Sequence, residues 1–201
     1  MDQLVEIKSK IQINPSRVGK KYFVKTFGCQ MNEHDSERIS GMFELDGMSK
    51  AISEEYADVL FVNTCTIREN ADDKLYGTLG QLKQWKSQKD NRKLLVGGCA
   101  AQKDKELVRE KAPWVDVVIG THNLTNVVDL LNRSEDWGPL TEIIDEIETL
   151  PTEAPSIRES EYSAWVTIQI GCNNSCTFCI VPSVRGQEIS CLLYTSDAAD
   201  E

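Results

Sequence analysis

The sequence predicts an α/β fold with a parallel sheet over residues 21–133, followed by a second, shorter unit at 158–189. Strand-like and helix-like segments alternate four times in the first of these ranges, which is typical of a parallel sheet covered by helices. An acidic, proline-containing stretch at 134–157 separates the two units. The second unit begins with one strand, at 164–170, that leads directly into a cysteine-rich loop.

The four strands of the sheet are predicted from short runs of β-branched, aromatic and aliphatic residues. They lie at 21–27, 58–63, 93–97 and 115–120. Each strand is followed by apolar residues at helical spacing, so that four helices are predicted. These helices lie at 35–45, 70–85, 103–111 and 123–131.

The stretches outside these units differ from them in composition. Residues 1–20 are polar and are predicted to be a loosely ordered extension. Residues 134–157 combine several carboxylates with three prolines, which indicates an acidic linker, or a linker that contains one strand at 140–144.

Composition narrows the classes of function. The 201 residues contain 22 Lys and Arg against 32 Asp and Glu, a formal net charge of −10. This charge argues against strong nucleic-acid binding by this chain alone, because neutralising phosphates requires basic residues. The first residues lack the apolar region of a signal peptide, so we expect a cytoplasmic protein. In that compartment the seven cysteines are expected to be reduced, and to serve as metal ligands or catalysts rather than as disulfides.

Three cysteines lie close together in the C-terminal loop. Cys172, Cys176 and Cys179 follow the spacing C-x3-C-x2-C. Three thiolates this close can bind three irons of a cubane cluster and leave the fourth iron open. A structural zinc site has four ligands, and no fourth Cys or His follows in register. The alternatives are a zinc knuckle that lacks one ligand and a redox pair formed by Cys176 and Cys179.

A second set of cysteines is spread along the predicted sheet. Cys29, Cys65 and Cys99 follow the first, second and third strands. Because ligands of open parallel sheets bind at the carboxyl ends of the strands, we expect the three thiols at one edge, as a shared three-thiolate metal site. The alternative is three buried apolar cysteines. The turns of small and polar residues around each cysteine argue against it.

Four separated stretches carry a family resemblance. They are Thr26-Phe27-Gly28-Cys29-Gln30-Met31-Asn32, Asn63-Thr64-Cys65-Thr66-Ile67-Arg68-Glu69, Gly97-Gly98-Cys99-Ala100-Ala101-Gln102, and Gly171-Cys172 through Cys179-Ile180-Val181-Pro182 with Arg185-Gly186. In this order they resemble the methylthiotransferases, a family of radical S-adenosylmethionine (SAM) enzymes that carry a second iron–sulfur cluster. The resemblance covers about 21–189. The segment 66–69 is similar to the branch of the family that acts on tRNA.

The resemblance implies two metal sites. Cys172, Cys176 and Cys179 would hold a [4Fe–4S] cluster whose open iron binds SAM. Cys29, Cys65 and Cys99 would hold a second [4Fe–4S] cluster that supplies or carries sulfur. The implied activity adds a methylthio group to C2 of N6-isopentenyladenosine next to the anticodon. The implied partners are tRNA, bound through regions beyond this chain, and an electron donor such as flavodoxin or ferredoxin. A monomer without membrane association is expected.

Further residues have two interpretations each. The resemblance places Phe178 against the adenine of SAM, although a hydrophobic residue in a loop can also fill its own core. Gln30 and Asn32 could donate to the sulfurs of the second cluster or simply cap a turn. Glu69 is expected in a first helical turn. Arg185 could approach SAM or substrate, but the default expectation is a surface arginine.

The chain departs from the family after about residue 189. The family continues with the remaining units of a partial (β/α) barrel and a C-terminal β-domain for RNA, so this chain is expected to be a truncated, inactive N-terminal part. The tail 190–201 does not follow the family pattern, and Cys191 is not expected to be a ligand. Residues 158–201 are expected to be poorly ordered. The alternatives are a methylthiotransferase for another modified adenosine or a ribosomal protein, and a non-catalytic iron–sulfur binding fragment.

Overall fold

The computed structural model of the protein describes residues 14–66, 71–145, 155–158 and 162–191. Its main feature is a six-stranded sheet in the order β2-β1-β3-β4-β5-β6, in which every neighbouring pair is parallel. The strands are β1 (Lys21–Thr26), β2 (Ser49–Lys50), β3 (Val59–Thr64), β4 (Lys93–Gly98), β5 (Val117–Ile119) and β6 (Leu140–Glu142). The predicted parallel α/β domain is thus confirmed.

Helices cover both faces of the sheet. They are α1 (Gln30–Leu45), α2 (Ala71–Ser87), α3 (Cys99–Asp104), α4 (Leu107–Lys111) and α5 (Val127–Trp137), with 3₁₀ turns at Pro15–Arg17, Glu54–Tyr56 and Leu124–Asn126. Buried residues of α1 and α5 form one apolar cluster against the sheet, and those of α2, α3 and α4 form another. In the described part of the chain, no helix is long and apolar enough to cross a membrane.

The central strand β3 is buried on both faces. Its residues point alternately into the two apolar clusters: Leu60 and Val62 pack on the α2 side, and Val59 and Phe61 pack on the α1 side. Such a continuous apolar run is what a parallel strand between two helical layers requires. The carboxyl end of β3 is consequently held in the middle of the sheet.

Several predicted boundaries were wrong. Helix α1 begins at Gln30 rather than at residue 35. The helix predicted at 103–111 is two helices, since Lys105 between them has a positive φ of 51°, a conformation that interrupts a right-handed helix. Helix α5 reaches Trp137 and β6 pairs in parallel with β5. Helix α5 thus extends into the range 134–157 that we expected to be a linker, whereas β6 lies within the strand that the alternative prediction placed at 140–144.

The C-terminal segment is built differently from its prediction. Only β7 (Gln169–Ile170) forms within the strand predicted at 164–170, and it pairs antiparallel with β8 (Ile189–Ser190). The preceding apolar side chains are partly or largely exposed and have no sheet to pack on; Val166 is 74% exposed. Nothing in the described residues forms a (β/α) barrel, so that assignment stays a prediction.

The short helix α6 (Val181–Arg185) attaches this segment to the sheet domain. It packs against α3, and its Val184 and Arg185 are buried. The expectation of a poorly ordered segment from residue 158 onwards therefore does not describe α6. Most of the tail at 190–201 lies outside the described residues.

Gly98 ends β4 in a conformation that only glycine adopts readily. Its φ is 91° and its ψ −167°. A Cβ atom at this position would lie 2.4 Å from the carbonyl oxygen of Thr64 and 2.5 Å from Oδ1 of Asn63. The missing side chain thus allows β4 to run close beside the end of β3, one residue before Cys99.

We predict that Gly98→Ala destabilises the protein more than Gly138→Ala. Gly138 has nearly the same backbone angles, φ 89° and ψ −172°, but nothing lies within 4 Å of its added Cβ. Gly138→Ala should cost about 1–3 kcal/mol through backbone strain alone. Gly98→Ala should cost about 1–3 kcal/mol more, through collision. Urea unfolding measures both values, and equal destabilisation would contradict the close approach.

Candidate metal centre

The register of three adjacent strands brings the N-terminal cysteines to one edge of the sheet. Thr26 of β1 pairs with Asn63 of β3, and Thr64 of β3 pairs with Gly98 of β4. Cys65 and Cys99 directly follow the ends of β3 and β4, and Cys29 follows β1 after two residues. All three are thiols rather than members of disulfides. In the structure the three cysteines lie at one edge of the sheet, as predicted.

Cys29 lies at the N-terminus of α1. The Asn32 side chain closes this first turn, because its Oδ1 accepts from the Cys29 backbone N–H at 3.4 Å and from the Cys29 thiol at 3.5 Å. A Cβ atom on neighbouring Gly28 would lie 3.0 Å from Cβ of Cys65. The turns that carry Cys29 and Cys65 are therefore in direct contact.

A buried network of amides fixes the end of β3 against α1. Asn63, which is fully buried, donates from Nδ2 to the carbonyl oxygen of Asn32 at 2.7 Å and to Oγ of Ser36 at 2.9 Å. In return, Nδ2 of Asn32 donates to Oδ1 of Asn63 at 2.9 Å and to the carbonyl oxygen of Thr64 at 3.1 Å. Buried polar groups satisfied in this way hold a single arrangement of the backbone.

A cavity of about 280 Å³ lies beside Cys65. Phe27, Gly28, Thr64 and Lys74 are among the residues that line it. The cavity is several times the roughly 30 Å³ that one water molecule occupies in the liquid. Space for a bound group thus exists next to one of the three thiols.

The side chains of the three cysteines are not gathered into a preformed ligand set. Among the residues that the structure describes, no group of three or more His, Cys, Asp or Glu side chains is placed to hold a metal ion. The backbone positions nevertheless follow three neighbouring strands, about 4.8 Å apart in a sheet. The residues therefore fit a three-thiolate site in the chemistry of their side chains and in their positions after three adjacent strands.

Cys99 is covered by the C-terminal segment. It is 1% exposed, and Nε of Arg185 donates to its Sγ at 3.2 Å. Burial raises the pKa of the Cys99 thiol, while the nearby Arg185 guanidinium opposes that shift. The expectation that Arg185 is a surface residue was wrong: α6 packs on α3, and Arg185 is 4% exposed.

The C-terminal cysteines are presented at the surface. Cys176 and Cys179 are exposed, and Cys172 is partly buried. The loop is anchored by the Cys172 N–H, which donates to the carbonyl oxygen of Gly186 at 3.2 Å, and closed by the Cys179 N–H, which donates to the carbonyl oxygen of Cys176 at 3.2 Å. Phe178, at the tip, is 98% exposed. It fills no core in this structure, and its predicted contact with SAM stays a prediction.

Other candidate residues have plain structural positions. The Asn32 amide makes its hydrogen bonds within the first turn of α1 and with the end of β3. This agrees with the interpretation of Asn32 as a capping residue. Gln30 is exposed. Arg68 and Glu69 lie outside the described residues. Sequence reasoning missed Asn63 as a structural residue of this edge, although an asparagine at the end of an otherwise apolar strand is a signal for it.

Comparisons with known proteins identify relatives of the chain. The sequence profile of the uncharacterized protein family UPF0004 matches residues 21–120. The chain is 51% identical over 183 residues to the tRNA-2-methylthio-N(6)-dimethylallyladenosine synthase of Corynebacterium urealyticum, which covers 90% of the chain and 34% of that protein. It is 57% identical over 168 residues to the synthase of the same name from Tropheryma whipplei, over 83% of the chain and 36% of that protein. The chain thus spans about a third of these curated relatives.

We predict that Asn63→Ala destabilises the protein by about 2–3 kcal/mol, since it leaves buried groups of Asn32 without their partner. The exposed helix residue Gln81 is the matched control, and Gln81→Ala should change the free energy of unfolding by less than about 0.5 kcal/mol. Thermal and urea unfolding measure both. An equally small effect at both positions would contradict the network.

Proposed function

We propose that this chain, whose residues 21–120 match the profile of the UPF0004 family, is the N-terminal part of a tRNA methylthiotransferase. The names of its relatives indicate the reaction, formation of 2-methylthio-N6-dimethylallyladenosine in tRNA. In this proposal the methylthio group is added to C2 of N6-isopentenyladenosine next to the anticodon. The observation that carries the proposal is the placement of Cys29, Cys65 and Cys99 after three adjacent parallel strands, in a chain 51–57% identical to such synthases.

The proposed ligands form two sets. Cys29, Cys65 and Cys99 hold one [4Fe–4S] cluster at the edge of the sheet, and the loop 172–179 holds the other through its three cysteines. When bound, these clusters and SAM supply the one-electron chemistry and the sulfur that methylthiolation of an aromatic carbon requires. Phe178 is exposed beside the second set, where it could cover the adenine of SAM.

The residues of the chain itself have positioning roles in this proposal. The amide network at Asn63 fixes the end of β3. It therefore also fixes the direction in which the backbone continues to Cys65. Gly98 brings the end of β4 against β3 and sets the position of Cys99. The backbone contact between Cys172 and Gly186 keeps the surface loop close to α6. Each of these residues acts on ligand geometry without contacting the substrate.

The proposed partners reach beyond this chain. Binding of tRNA would rely on parts that lie outside it, since its net charge is −10 and phosphate contacts require basic residues. Residues 158–189 would begin the barrel that encloses SAM. A one-electron donor such as flavodoxin or ferredoxin, a monomeric state and a cytoplasmic location complete the proposal.

One observation favours a second candidate function, a non-catalytic iron–sulfur fragment. The only strand pair of the described C-terminal segment, β7 with β8, is two residues long on each side and antiparallel, whereas a (β/α) barrel has parallel strands. In this second hypothesis the domain at 21–133 holds a cluster and the exposed loop 172–179 binds none. The two hypotheses differ in the number of iron atoms bound per chain.

We predict about eight irons per chain after anaerobic reconstitution, as two [4Fe–4S] clusters require. The variant Cys172→Ala/Cys176→Ala/Cys179→Ala should hold about four, and so should Cys29→Ala/Cys65→Ala/Cys99→Ala. Cys191→Ser is the matched control and should keep the wild-type value. Iron and acid-labile sulfide analyses measure all four proteins. Four irons in the wild type and in the C-terminal variant would support the non-catalytic fragment instead.

We also predict activity for a chimera in which residues 21–189 replace the matching part of the Tropheryma whipplei synthase. Mass spectrometry of nucleosides should detect the methylthio group on isopentenylated tRNA, because the chimera regains the parts that this chain does not span. The same chimera with Cys65→Ala should form no product. An inactive chimera that nevertheless binds about eight irons would contradict the proposed tRNA reaction while leaving the metal sites in place.

A further inference from the structure

A buried guanidinium lies between the two cysteine sets. Arg185 is 4% exposed although it belongs to a helix of only five residues, α6. Its Nε donates to Sγ of Cys99 at 3.2 Å, and its Nη1 lies 2.8 Å from Oδ2 of Asp35 in α1. Burying an arginine is costly unless charged and polar partners compensate it, so this position calls for an explanation.

Among the residues that the structure describes, two arginines, Arg38 and Arg185, interact with a single carboxylate, that of Asp35. All three side chains are at least 90% buried. Nη2 of Arg185 is buried without a hydrogen-bond partner among the described residues. Two cations thus share one carboxylate next to a thiol. A metal-bound thiolate at Cys99 would provide a second negative charge.

Arg185 is also tied to the C-terminal loop through its own backbone. The adjacent Gly186 accepts from the Cys172 N–H at 3.2 Å. The carbonyl oxygen of Val184, on the other side, accepts from Oγ of Thr121 at 2.6 Å. The side chain that contacts Cys99 is therefore held by a backbone that contacts both the sheet domain and the first cysteine of the loop.

We propose that Arg185 is a positioning residue that links the two cysteine sets and donates an N–H···S hydrogen bond to Cys99 as a cluster ligand. This inference rests on the proposed function, because it concerns a cluster bound at Cys29, Cys65 and Cys99. Hydrogen bonds to the sulfurs and nearby positive charge stabilise the reduced, more negative state of a cluster. Arg185 thereby raises the reduction potential of the N-terminal cluster.

The test uses the full chain with Cys172→Ala/Cys176→Ala/Cys179→Ala as background, so that one cluster remains. Potentiometric titration followed by electron paramagnetic resonance measures its midpoint potential. Arg185→Gln should lower that potential. Arg185→Lys should lower it less, because lysine retains the charge and loses the planar donor group. Arg109→Gln, which removes an arginine of α4 that pairs with Glu106, is the matched control and should leave the potential unchanged.

An unchanged potential in Arg185→Gln, with the full iron content, would overturn the inference. If Arg185→Gln does not fold, Arg185→Lys decides in its place: a potential equal to that of the background would overturn the inference. A simple structural role for Arg185 would change stability and iron content without shifting the potential of the clusters that form.

A second measurement separates this inference from the proposed function. In the metal-free chain, a double-mutant cycle of Arg185→Gln and Cys99→Ala should give non-additive changes in the free energy of unfolding, since the two side chains are in contact. The cycle of Arg185→Gln and Gln81→Ala, at an exposed residue of α2, should be additive. If the background protein binds no iron, the proposed function fails. Additivity in the cycle of Arg185→Gln and Cys99→Ala is a separate outcome, and it would overturn the contact between Arg185 and Cys99.

Discussion

The parallel register of β1, β3 and β4 is the constraint on which the candidate metal centre depends. Parallel pairing places the carboxyl ends of these neighbouring strands at one edge, so that cysteines 36 and 34 positions apart in the sequence follow adjacent strands. A one-residue slip of β3 would turn its side chains to the opposite faces. It would also displace Cys65 from the line of the other two cysteines. The apolar clusters on both faces oppose such a slip, since every residue of β3 is buried.

Local contacts at the ends of β3 and β4 fix the cysteine positions more closely than the strand register alone. The amides of Asn32 and Asn63 pair with each other and with backbone groups in a place from which water is excluded. Gly98 lets two strand ends approach more closely than side chains would permit. These residues do not themselves bind the metal. They narrow the range of positions that the three thiols can occupy, which is the kind of support that metal ligands receive from surrounding residues.

The sequence predicts the four inner strands of the sheet because they are short runs of β-branched, aromatic and aliphatic residues. It misses β2, an edge strand of only two residues. It predicts the edge position of Cys29, Cys65 and Cys99 for the same reason, since each follows such a run. It fails at Arg185, whose burial depends on the packing of α6 against α3 and leaves no periodic signal in five residues. It fails at 164–170 as well, where β-branched residues indicate a strand but the described chain offers little to pair with.

The two cysteine sets also differ in how much of the chain they span, and this affects the order of assembly. Cys172, Cys176 and Cys179 lie within eight residues, so a loop of this length can begin to bind iron while the rest of the chain is unfolded. The other set spans 71 residues, from Cys29 to Cys99, and comes together only after β1, β3 and β4 have paired. In the proposed function, loading of the sheet-edge site would therefore be a late event that requires a completed fold, because binding at dispersed ligands is coupled to folding itself.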